Sequence, residues 1–84
     1  VRVRLTFARE SWVEVYDVGG NRMLYDVGRV DLPRMIDVEP PALVVLGDAT
    51  AVATEANDKL LAIPPKNISG TVARFTIAAD GSVR

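Results

Sequence analysis

The sequence predicts an all-β domain, a small antiparallel β-sandwich or barrel of about seven to eight short strands. Three observations lead there. Apolar and polar residues alternate in "VRVRLTFA" (residues 1–8) and again in "TVARFTIAA" (residues 71–79). Turn signals interrupt the chain every 8–12 residues or so. No segment carries the 3.6-residue apolar period of an amphipathic helix.

The first strand, residues 1–8, points Val1, Val3, Leu5 and Phe7 to a core and Arg2, Arg4 and Thr6 to solvent. "WVEVYD" follows a short polar break, and "VGGN" supplies a turn because glycine accepts positive φ without a Cβ clash. A return strand over residues 22–27 completes a hairpin. Residues 28–31 read as a loop and "PRMIDV" as a short strand opening at Pro33. Pro40 and Pro41 break the pattern again, since proline has no N–H to give a ladder. "ALVVL" is apolar without alternation, which predicts a strand covered on both faces, ended by Gly47. Residues 51–56 and 59–63 flank Asn57 and Asp58 and read as a second hairpin. Alanine-rich "GDATAVATEANDKLLAI", with Glu55, would also allow a helical turn, but Val52, Thr54 and the Asn-Asp pair favour strands. "IPPKNISG" is a loop, and the last strand turns Ala73, Phe75 and Ile77 inward and Arg74 and Thr76 outward.

Composition bounds the function. With 84 residues, 49% of them hydrophobic and 25% charged, the chain makes one globular domain, too apolar for intrinsic disorder. Ten basic residues against eleven acidic ones leave a net charge of −1, and the arginines are scattered singly. Nucleic-acid affinity needs clustered cations that displace counterions, so no nucleic-acid partner is expected for this domain. The chain has no histidine and no cysteine. It therefore lacks the commonest general base, the commonest transition-metal ligands and any thiol nucleophile or disulfide. Ser11, Ser69 and Ser82 have no base to activate them, and carboxylate pairs such as Asp37 and Glu39 have no partner base. "DVGGN" is too short for a phosphate cradle, and "DATAVATEAND" lacks the glycine and terminal glutamate of a calcium loop. The expectation is no catalytic group, no metal and no cofactor. The longest apolar run, "PALVVLG", falls far below the ~20 residues of a membrane-spanning helix. The chain opens on Val1, already in strand pattern, as a domain cut from a longer protein would.

Placing Asp17 opposite Arg22 in the first hairpin pairs Tyr16 with Met23, Val15 with Leu24, Glu14 with Tyr25 and Trp12 with Val27. Val13, Val15 and Leu24 then share the core face, flanked by an Asp17/Arg22 charge pair. The other face carries Trp12, Tyr16, Met23, Tyr25 and Val27, interrupted only by Glu14, and its apolar surplus predicts that something covers it. A one-residue change in the turn would redistribute these partners. The structural assignments are Trp12 plugging one end of the core, Val13, Val15 and Phe75 within it, Gly20 in the turn and Gly47 at its strand end. Met23 and Met35 are read as core gap-fillers.

The order "LTF…SWVEVYDVGGNRML", then "PP" leading into "LVVLGDA", then "GTVARFTI", resembles the C-terminal extracytoplasmic domain of RodZ-like bacterial cell-shape proteins over nearly the whole chain. Ser11, Trp12, Val13, Glu14, Val15 and Asp17, with the later Leu46, Gly47 and Ala49, carry the likeness best. The second hairpin departs from the family, with Asn57-Asp58 where a glycine usually follows the asparagine. The resemblance implies a longer protein with a cytoplasmic helix-turn-helix domain that binds the actin-like MreB, one upstream transmembrane helix, a linker and this β domain in the periplasm. It implies a non-catalytic interaction module linking the MreB cytoskeleton to peptidoglycan synthesis, its partners being proteins of the cell-wall elongation machinery. Tyr16, Arg22, Tyr25 and Arg34 are the candidate contact residues. Sensing of peptidoglycan or glycan fragments, and self-association, are the alternative uses of the same face.

Overall fold

Alternation decides which side of each strand is buried, and a computed structural model of residues 1–84 arranges those buried sides in two facing antiparallel sheets with no α-helix. The strands are β1 (Arg2–Phe7), β2 (Ser11–Tyr16), β3 (Arg22–Gly28), β4 (Arg34–Asp37), β5 (Ala42–Leu46), β6 (Val52–Ala56), β7 (Lys59–Leu60), β8 (Ile68–Ser69) and β9 (Val72–Ile77). One sheet runs β4-β1-β6-β7 and the other β3-β2-β5-β9-β8. The fold is therefore a sandwich, with Val3, Leu5 and Phe7 of the first sheet packed against Val13, Val15, Val44, Phe75 and Ile77 of the second. Val13, Val15, Val44 and Ile77 are fully buried and Phe75 nearly so, a close-packed core in which each lost methylene is felt.

The element order agrees with the sequence reading, and the differences lie at boundaries. The ninth strand is β8, within residues read as loop; it pairs Ile68 with Ala73. Ala49–Ala51 form one turn of 3-10 helix, so the strand after it opens at Val52. β7 stops at Leu60 instead of running to residue 63. At the turn between β6 and β7, Asn57 and Asp58 have φ of 50° and 70°, the left-handed pair that a two-residue hairpin turn requires and that Asn and Asp tolerate best after glycine. The expectation that β5 is covered on both faces is corrected. Ala42, Val44 and Leu46 are buried, while Leu43 and Val45 are only half-buried on the outer face.

The first hairpin keeps the expected register from Trp12 to Val15 and then slips. A bulge between Val15 and Tyr16 places Tyr16 opposite Arg22, leaving Met23 as the extra residue. The Asp17/Arg22 charge pair does not form. Asp17 instead closes its own turn, its carboxylate accepting from the Gly19 N–H (2.9 Å), the Asn21 N–H (2.8 Å) and Asn21 Nδ2 (3.0 Å). These bonds hold the Asp17 carboxyl below the usual aspartate range. Gly20, with φ of 80°, takes the left-handed position within that loop. Met23 and Met35 are exposed, correcting their assignment to the core.

Candidate interaction surface

Because Val13 and Val15 take the inner positions of β2, period two forces Trp12, Glu14 and Tyr16 onto the outer face of the five-stranded sheet. The assignment of Trp12 to the core end is thereby corrected: its side chain lies outside, 37% exposed. Gly47 makes room for it. A Cβ built at Gly47 would fall 3.1 Å from Trp12 Cβ, and the Gly47 N–H donates to the Trp12 carbonyl at 2.8 Å.

Cross-strand pairing assembles the rest of the face. Trp12 stands opposite Val27, and Glu14 lies between Tyr25 of β3 and Val45 of β5. Tyr16 lies between Arg22 of β3 and Leu43 of β5. Beyond β5, Arg74 faces Val45 and Thr76 faces Leu43. Trp12 and Tyr25 are diagonal neighbours packed edge to face, with ring centroids 4.6 Å apart and planes at 88°. The Arg22 guanidinium carbon sits 4.0 Å from the centre of the Tyr25 ring, within cation–π range.

Glu14 is the polar centre of this face. Trp12 Nε1 donates to its Oε2 at 2.9 Å, and the Tyr16 hydroxyl donates to its Oε1. The Tyr16 bond, followed by the Trp12 bond, holds the Glu14 carboxyl below the usual glutamate range, and the nearby charges of Arg22 and Arg74 act in the same direction. Tyr16 is pushed up, chiefly by the same hydrogen bond to a carboxylate. The network fixes two aromatic side chains at the surface, where they would otherwise sample several rotamers. A shallow concavity of about 470 Å³ adjoins it, with Tyr16, Leu43 and Arg74 on the sheet and Asp17, Val18 and Pro41 at the rim.

Three of the four candidate contact residues, Tyr16, Arg22 and Tyr25, thus come together, and Arg34 does not. Arg34 is opposite Leu5 on β4, and its Nη1 reaches Asp26 Oδ2 of β3 at 3.4 Å. That pair bridges the two sheets at the open side of the sandwich, away from the aromatic face. In the sequence Glu14 reads as an interruption of the apolar face and Arg74 only as an outward residue. The Trp12, Glu14, Tyr16 spacing was the available signal for the first, since i, i+2 and i+4 share one face of a strand. No three His, Cys, Asp or Glu side chains converge as a metal site, and no helix is long and apolar enough to cross a membrane.

Compared with known proteins, residues 4–76 match the family model described as the RodZ C-terminal domain. No curated protein and no solved structure matches the chain.

Proposed function

The chain belongs to the RodZ C-terminal domain family, a domain of RodZ-like cell-shape proteins, and from that membership we propose that it is a non-catalytic, periplasmic docking module for the cell-wall elongation machinery. In this reading an upstream transmembrane helix anchors the domain to the inner membrane. Docking outside the membrane then couples MreB filaments inside it to peptidoglycan synthesis.

The observation that carries the reading is the set Trp12, Tyr25 and Arg22, held by stacking and by Glu14 on a face that the core does not need. Aromatic residues and arginine dominate the energetics of protein interfaces. Side chains already locked in place also lose less entropy on binding. Tyr25, packed against Trp12 and Arg22, remains 46% exposed and open to a partner. The missing histidine and cysteine agree with a role based on shape and surface.

The test is co-purification of wall-synthesis proteins with the full-length protein carrying Tyr16→Ser and Tyr25→Ser together. Loss of those proteins, with the circular dichroism of the domain unchanged, is the expected result. Undiminished recovery would remove the aromatic face from the proposal. The concavity beside Tyr16 supports a second reading, binding of a glycan or peptide fragment of the wall. Titration with soluble muropeptides separates the two: saturable amide shifts at Tyr16 and Leu43 favour the sensor, and their absence favours the protein contact.

A further inference from the structure

Two guanidinium groups on the aromatic face form no ion pair within the chain; the Glu14 carboxylate feels both charges but is hydrogen-bonded to Trp12 and Tyr16. The ion pairs of the molecule join Arg2 to Asp37, Arg9 to Asp48 and Arg34 to Asp26, and neither Arg22 nor Arg74 takes part. Arg22 lies over Tyr25, an arrangement that leaves the N–H donors in the guanidinium plane free for a ligand. The acids nearby are already committed: Glu14 to Trp12 and Tyr16, and Asp17 to the N–H groups of its own turn. The face therefore offers unspent donors on two cations and no free carboxylate to match them.

Register gives their separation. Arg22 is on β3 and Arg74 on β9, with β2 and β5 between them. Three strand spacings of ~4.8 Å and an offset of two residues along the strands, ~7 Å, put their backbones about 16 Å apart. Tyr16 and Leu43 continue the row of Arg22, and Glu14 and Val45 that of Arg74. An extended peptide covers that distance in about four residues.

Resting on the reading of this face as a protein docking surface, we propose that its occupant is an acidic protein segment: an extended stretch with two carboxylates four residues apart and apolar side chains between them. One carboxylate takes Arg22 and the other Arg74, and the intervening side chains lie on Tyr16 and Leu43. The selectivity is local, because the net charge of −1 gives the whole molecule no field to draw anions. Paired guanidinium–carboxylate contacts supply both strength and direction.

The probes are two synthetic peptides, Glu-Leu-Tyr-Leu-Glu and Lys-Leu-Tyr-Leu-Lys, each acetylated and amidated, titrated into the 84-residue chain and followed by amide and side-chain N–H resonances. The glutamate peptide should shift the Arg22 and Arg74 Nε–H and Trp12 Nε1–H signals, and bind about tenfold more tightly than the lysine peptide. Arg22→Gln and Arg74→Gln should each weaken it by about as much. Equal affinity for the two peptides, shifts confined elsewhere, or no binding of either would overturn the inference. Co-purification distinguishes it from the docking reading. If Arg22→Gln with Arg74→Gln leaves partners bound while the tyrosine substitutions release them, the acidic segment falls and the docking face stands; if neither pair has an effect, both fall.

Discussion

The ring of Phe7 occupies the space that a side chain at Gly28 would need: a Cβ built there falls 2.1 Å from both Cε1 and Cζ of the ring. Phe7 ends β1 in one sheet and Gly28 ends β3 in the other, so this contact closes one end of the sandwich. Gly28→Ala should therefore act as overpacking, costing about 1–3 kcal/mol or more. In a domain of this size that lowers Tm by roughly 5–20 °C. Thermal unfolding checks it, and combining Gly28→Ala with Phe7→Leu should cost less than the two changes added, since residues in contact couple.

Thr54 provides the opposite case. It is 2% exposed on the inner face of β6, opposite Leu5, and its Oγ1 has no hydrogen-bond partner. A buried hydroxyl left unpaired costs about 1–3 kcal/mol, while its methyl group packs as well as that of valine. Thr54→Val should raise stability by about 1 kcal/mol, read as a higher urea midpoint with unchanged slope. A lower midpoint would mean that the hydroxyl is satisfied in solution.

Local chemistry made most of the fold legible. Alternation located β1 and β9 with their inward residues, and Asn57-Asp58 located the second hairpin. Parity alone also settled Trp12, because Val13 and Val15 leave no inner position for its neighbour. The expectation of a buried tryptophan came from the size of its apolar surface, and the period of the strand overrode it. The slip after Val15 was illegible, since a bulge at Met23 costs one residue of register and leaves no mark in the hydrophobic pattern. The position of Arg34 was illegible for a different reason. Its partner Asp26 lies in the other sheet, and which edges meet across a sandwich follows from packing between strands distant in sequence. Arg74 joins the site by the same long-range route, through the pairing of β9 with β5.

Asp26 takes the same side of β3 as Leu24 but is exposed, on an edge strand of seven residues. Its Oδ1 accepts from the Val27 N–H at 2.7 Å, while Oδ2 receives Arg34. Occupying a backbone donor with a charged side chain on an edge blocks strand-to-strand pairing with another molecule. The ion pair itself is half-exposed and contributes at most about 1 kcal/mol, so Arg34→Ala should leave the domain folded and its association state unchanged. Asp26→Ala should make sedimentation concentration-dependent by freeing the edge. Concentration-dependent sedimentation of both variants would assign the effect to the ion pair and not to the capped N–H, and unchanged sedimentation of both would remove it.

The bonds around Glu14 predict a titration that Trp12, the only tryptophan, reports directly. The carboxyl is held down first by the Tyr16 hydroxyl and then by the Trp12 indole, so its value in the folded domain lies below that of the unfolded chain. The stabilisation it gives is therefore complete above the unfolded glutamate value and disappears as pH falls through the folded one. Trp12 fluorescence should stay level down through the ordinary glutamate range and change only below it. Tyr16→Phe removes the larger of the two causes and should raise that midpoint toward the ordinary value. Glu14→Gln keeps an acceptor for the indole but nothing to titrate, so its fluorescence should be flat over the same interval. A midpoint indifferent to Tyr16→Phe would mean that the hydroxyl does not reach Glu14 in solution, and the fixed orientation of the aromatic face would lose its support.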